Sequence, residues 1–128
     1  MLRLFKIFSG FLLLAACTAP IELKTNDTEP VIVIYGYLTE GETYQLIRIS
    51  SSSPYFAEKD NRPVRGALVT IHTSDGEMFD MEEFPDDDRG YYQTKEIMAA
   101  VPGVTYRLHV EVDFDNDGRT ETYEAVTT

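Results

Sequence analysis

The chain has 128 residues, 43% of them hydrophobic, enough for one domain with one core and too few for two ordinary domains. Its 22 acidic against 11 basic residues give a formal charge of -11, which argues against nucleic acid as a partner and against charge-driven binding to anionic lipid head groups. The many Val, Ile, Thr, Tyr and Phe residues, with 8 Gly and 6 Pro, favour strands and turns over a helical bundle.

Arg3 and Lys6 open the chain, the apolar stretch Ile7 to Leu14 follows, and Ala15 and Ala16 are small, which is the order of a secretory signal peptide. A membrane span needs roughly 20 apolar residues. Here Thr18, Glu22, Lys24, Asn26 and Asp27 make the chain polar at once. Leu14-Ala15-Ala16-Cys17 looks like a bacterial lipobox. Small residues let a signal peptidase close on the bond, and the thiol is a strong nucleophile for a diacylglyceryl group. Cys17 is the only cysteine, so no internal disulfide is expected, and lipid attachment accounts for the odd thiol. Ordinary secretion with an incidental cysteine is the alternative. Each buried acyl methylene contributes about 0.8 kcal/mol, so two or three chains would anchor the protein firmly. Thr18, where Asp would signal inner-membrane retention, is expected to permit sorting to the outer membrane.

Three units are therefore expected: a cleaved signal peptide over 1–16, a lipidated N-terminus and tether over 17–30, and a β domain over 31–128. Val31 to Leu38 is a continuous β-branched and aromatic run, expected as a strand covered on both faces. Tyr44 to Ile49 follows as a second strand with Ile47 and Ile49 on the core side. Ser50 to Pro63 reads as a long surface loop carrying Tyr55 and Phe56, which fold back or face a partner. Val64 to Thr73 places Ala67, Val69 and Ile71 inward, and Asp75-Gly76 turns the chain into Met78 to Phe84 with Phe79 and Met81 inward.

Pro85 to Gly90 breaks the pattern, Tyr91 to Thr94 is a short strand, and Lys95 to Val101 has weak helical potential. After Pro102-Gly103, Val104, Tyr106, Leu108, Val110 and Val112 alternate with polar residues in the clearest strand. Thr120 to Val126 closes the series with Tyr123 and Ala125 inside. Seven short strands predict an all-β fold, a β-sandwich of immunoglobulin-like or transthyretin-like kind, with an incomplete barrel as the alternative.

Pro20-Ile21-Glu22-Leu23 after the lipobox, the Val31 to Leu38 run, Pro63 to Ile71, Gly90 to Thr94, Gly103 to Leu108 and Thr122 to Ala125 occur together in one order and spacing. In these the chain resembles the Bacteroidota lipoprotein family catalogued as domain of unknown function 4249. The resemblance implies an outer-membrane lipoprotein, often encoded beside a TonB-dependent receptor, with no catalytic residues to carry over. Proteins similar to this one usually continue past the Tyr-Glu-Ala strand, so the chain is expected to be a fragment or a minimal version.

Asp113, Asp115, Asp117, Gly118 and Glu124 fit the pattern D-x-[DN]-x-[DN]-G-x5-E, in which alternate carboxylates converge on calcium. The loop lies between strands, so a plain Asp-Gly hairpin is the competing reading. Asp86-Asp87-Asp88 reads as a solvated loop. His72 and His109 sit on outward positions and come close if their strands are neighbours, with no third ligand at metal spacing. Ser50 to Ser53 lacks the context of a hydrolase nucleophile. The leading expectation is a non-enzymatic accessory module docked on an outer-membrane receptor. The alternative is a surface glycan- or peptide-binding module built on Tyr55, Phe56, Tyr91 and Tyr92, with calcium as its one candidate cofactor.

Overall fold

In a computed structural model, residues 29–53 and 61–128 are described. They form seven antiparallel strands: β1 (Ile32–Gly36), β2 (Leu46–Ser51), β3 (Leu68–Thr73), β4 (Met78–Glu83), β5 (Tyr91–Thr94), β6 (Tyr106–Val112) and β7 (Glu121–Thr127). There is no helix among the described residues, and Lys95 to Val101 is irregular chain with one bridge, Thr43 to Met98. The expected signal peptide, Cys17, the tether up to residue 28, Tyr55 and Phe56 lie outside the described residues.

The strand order is β1-β2-β5-β4-β3-β6-β7. β4 is the corner of this curled sheet. Its first half, Met78 to Asp80, pairs with β3, and its second half, Met81 to Glu83, pairs with β5. One strand thereby belongs to two layers, β1-β2-β5 and β3-β6-β7, and the fold is all-β and sandwich-like.

One core lies between the layers. Ile47 and Ile49 from β2, Val69 and Ile71 from β3, Met81 from β4, Tyr92 from β5 and Tyr106, Val110 and Val112 from β6 are buried in a single cluster. Each fully buried side chain of this size contributes about 1.5–3 kcal/mol. The period-2 pattern assigned these faces because alternate side chains of a strand point to opposite sides. Phe79, Leu108 and Tyr123 are only partly buried against the same cluster.

Three expectations fail at the margins. β1 is shorter than Val31 to Leu38 and is not covered on both faces: it is an edge strand, with Ile32 and Ile34 toward the core and Val33 and Tyr35 in solvent. Ala125 is on the inward side of β7 but exposed, because β7 is the other edge and a cleft opens beside it. The loop after β2 also begins later than expected. β2 runs through Ser51, and Ser50 and Ser51 are buried, Ser50 by bridging to Pro63.

Two features fasten the first layer. Gln45, 2% exposed, accepts from the Thr39 amide at 2.9 Å and donates to the carbonyls of Thr39 and Met98 at 3.2 and 3.0 Å. Its backbone exchanges bonds with Thr94. Gly90 adopts a φ of 86°, and a Cβ there would strike the Ile49 carbonyl oxygen. Only glycine lets the β4–β5 connection lie this close to β2.

Candidate functional site

The most organised polar constellation is the loop between β6 and β7. Asp113 follows β6 directly, Asn116 takes a left-handed φ of 59° and Gly118 one of 85°. The turn is held by its own carboxylates: Asp113 accepts from the Gly118 amide at 3.0 Å, Asp115 from the Asp117 amide at 3.1 Å, and Asp117 from the Arg119 amide at 2.8 Å. Asp and Asn favour such turns because a short polar side chain can bond the backbone two residues on.

One oxygen from each of Asp113, Asp115, Asp117 and Glu121 lies within 4.8 Å of all the others. Calcium holds oxygens at about 2.3–2.6 Å, so two ligands of one ion sit no more than about 5 Å apart. The spacing therefore fits one such ion. The chemistry of the donors also fits, since a hard cation takes carboxylate oxygens. Oδ1 of Asp113 is buried with no hydrogen-bond partner, and an orphaned buried carboxylate oxygen is costly unless a cation or water meets it. Among the described residues, no Lys or Arg forms an ion pair with any of the four carboxylates.

Glu124, the fourth ligand expected from the spacing, is not in this group. The β6–β7 register sets Glu121 opposite Val112 and Glu124 opposite His109. Three residues along a strand is about 10 Å and reverses the face. Glu121 therefore stands beside Asp113, while Glu124 bonds Arg107 at 3.1 Å and His109 at 3.4 Å on the outer face. A twelve-residue spacing brings its last member back to the loop only when a helix follows, and here a strand follows.

His109 lies between Glu111, at 2.8 Å, and Glu124, at 3.4 Å. Hydrogen bonding to Glu111 first, then to Glu124, raises its pKa, and bonds from His109 and Arg107 lower that of Glu124. His72 and His109 do meet, edge to face, with ring centroids 6.4 Å apart. His72 bonds Thr70 at 3.1 Å, and the arrangement is an ion-pair network on a sheet surface.

The aromatic residues separate. Tyr92 is core: it is 1% exposed, donates to the Val64 carbonyl at 2.8 Å and accepts from the Ala67 amide at 3.2 Å, and burial raises its pKa. It cannot join a surface platform. Tyr91, one residue away, faces outward beneath two guanidinium groups, with Arg89 at 5.1 Å and Arg48 at 6.0 Å from the ring centroid. Arg89 is fixed by Asp87, which accepts from its backbone and its guanidinium and whose pKa this lowers. The acidic run is thus less solvated than expected at its middle member, with the Asp87 side chain only 7% exposed. Tyr35 and Tyr37 complete this face and are among the most exposed apolar residues, at 67% and 68%. The sequence hides them as site residues, because an apolar run at strand spacing looks like core.

The larger cleft, about 590 Å³, opens between the layers where β1 and β7 end. Its walls include Ile34, Ile47, Ile71, Leu108 and Ala125, an apolar surface and not a set of reacting groups. No described helix is long and apolar enough to cross a membrane.

These features define a small β-sandwich-like domain with an acidic loop at one end and an aromatic outer face. The family model for Domain of unknown function (DUF4249) matches residues 18–127, and the chain belongs to that family. No curated protein and no solved structure matches it.

Proposed function

We propose that the chain is a non-enzymatic, lipid-anchored accessory protein of the outer membrane, which docks on a TonB-dependent receptor through the β1 edge of its sheet. The observation that carries this reading is β1 itself. It pairs only with β2 among the described strands, bears no charged residue, and leaves Val31, Val33 and Tyr35 in solvent. Natural sheets protect such edges with charge, proline or bulges, because unpaired backbone accepts a foreign strand. An edge unprotected among the described residues suits a protein held beside a fixed partner. Cys17 supplies the anchor in this reading, and residues 17–30 the tether.

Extraction of the native membrane in mild detergent should recover the receptor with this protein, and Val33→Lys should lose it while shifting stability by no more than about 0.5 kcal/mol. Recovery of the lone chain, under conditions that keep other membrane complexes intact, would sink the reading. Cys17→Ala should move the protein out of the membrane fraction.

A second element is favoured by the orphaned Asp113 oxygen: calcium bound by Asp113, Asp115, Asp117 and Glu121 as a stabiliser of the β6–β7 hairpin. A ligand that binds only the folded state raises its melting temperature. Melts with calcium and with excess chelator should therefore differ, and identical melts would retire the ion.

A further inference from the structure

The outer face of the first layer carries a row that runs across three strands. In the register, Tyr35 on β1 is opposite Arg48 on β2, and Arg48 is opposite Tyr91 on β5. Side chains directly opposite on neighbouring strands share a face. The row is therefore ring, guanidinium, ring, and its two tyrosines stand about 10 Å apart, twice the strand spacing. With Phe84 and Arg89 it lines a groove of about 310 Å³.

The two arginines are not equivalent. Arg89 is neutralised by Asp87 at 2.9 Å. Arg48 donates Nε–H to the Arg89 carbonyl at 3.0 Å and, among the described residues, forms no ion pair. One guanidinium with no ion pair among the described residues thus stands between two tyrosines in a protein of formal charge -11. Its terminal N–H groups can take a carboxylate end-on, and Tyr35, 67% exposed, offers a flat apolar surface beside them.

From this juxtaposition we infer that the Tyr35–Arg48–Tyr91 row binds an acidic oligosaccharide, with a sugar ring laid on the exposed Tyr35, a uronate carboxylate on Arg48, and Tyr91 supporting the guanidinium from below. The size favours a small ligand over a protein. A groove of this volume lies at the lower end of small-molecule sites, about 300–1,000 Å³, whereas a stable protein partner covers about 800 Å² on each side. The carboxylate is what Arg48 selects, and an exposed ring beside that charge suits a sugar ring bearing an acid group. This site acts without a receptor, so its test is independent of the docking reading.

The test uses the full chain purified in neutral detergent, followed by tyrosine fluorescence and calorimetry with trigalacturonate, maltotriose and triglutamate as probes. Trigalacturonate should bind with a Kd on the order of 1 mM or below. Raising the salt concentration should weaken it. Arg48→Gln and Tyr91→Ala should each weaken it about tenfold or more, with Arg48→Lys in between, since lysine keeps the charge and loses the fork. Arg107→Gln, on the outer face of the other layer, should leave it unchanged. Equal melting temperatures for Arg48→Lys and the unaltered chain confirm that the loss is local. No trigalacturonate binding at tenfold higher concentration, equal binding of maltotriose, tighter binding of triglutamate, or unchanged affinity in Arg48→Gln would each overturn the proposal.

Discussion

The two edges of the sheet are built on different principles. β1 is an apolar, uncharged strand whose outer side chains stand in solvent, whereas β7 carries Glu121 and Glu124 and begins at a loop of aspartates. Charge on β7 blocks a foreign strand, and nothing comparable blocks β1 among the described residues. An edge left open must be held rigidly if it is to present one shape. The layer behind β1 has that rigidity in Gln45 and Gly90, while the β7 side depends on electrostatics around its loop and its histidine. The two halves should therefore respond to different perturbations.

The largest effect is expected at Gly90. Alanine there must accept a left-handed φ and drive its Cβ into the Ile49 carbonyl oxygen, so Gly90→Ala should cost about 3 kcal/mol in urea unfolding. Calcium comes next. At one hundred times its Kd an ion bound only by the folded state contributes about 2.7 kcal/mol. That corresponds to a rise of about 10 °C in the melting temperature of a domain this size. Asp113→Asn should abolish the rise and Glu124→Gln should preserve it; the opposite pattern would return the fourth ligand to Glu124. Gln45→Leu keeps the volume but strips partners from Thr39 and Met98, and should cost about 2 kcal/mol by the same unfolding measurement.

The smallest effect is the pH dependence of the network around His109. Its pKa is raised from the ordinary 6.5, so its contribution is complete below 6.5 and fades as pH rises through the higher folded value. Glu124 is lowered from 4.5, so its contribution is complete above 4.5 and fades as pH falls through the lower folded value. The network therefore stabilises most between about 4.5 and 6.5, weakly because its members are solvent-screened. His109→Gln should flatten the melting profile on the alkaline side of that window, leaving β1 docking untouched.

Much of this molecule was legible before folding. Alternation placed Ile47, Ile49, Val69, Ile71, Met81, Tyr106, Val110 and Val112 inside, and all are buried. The Asp75-Gly76 and Asn116-Asp117-Gly118 turns lie where their residues put them, because a turn is a local property. The aromatic site was legible only at Tyr91. Tyr91 and Tyr92 are adjacent and chemically alike, but period 2 sends one to solvent and the other to the core, and only the pairing of β5 with β2 says which. Tyr35 and Arg48 are 13 positions apart and touch no common motif; their register opposite each other is a tertiary fact.

The sequence by itself determined the number and order of the strands, the inward faces of the alternating ones, the turns and the family. These follow from short-range periodicity and local backbone preference, which each segment carries wherever it is placed. The tertiary structure decided which strands are edges, which glutamate stands beside the aspartate loop, and which arginine stands opposite two tyrosines. Those outcomes depend on strand order and register. Opposite positions come from distant parts of the chain, and moving the pairing by one residue moves every side chain to the other face.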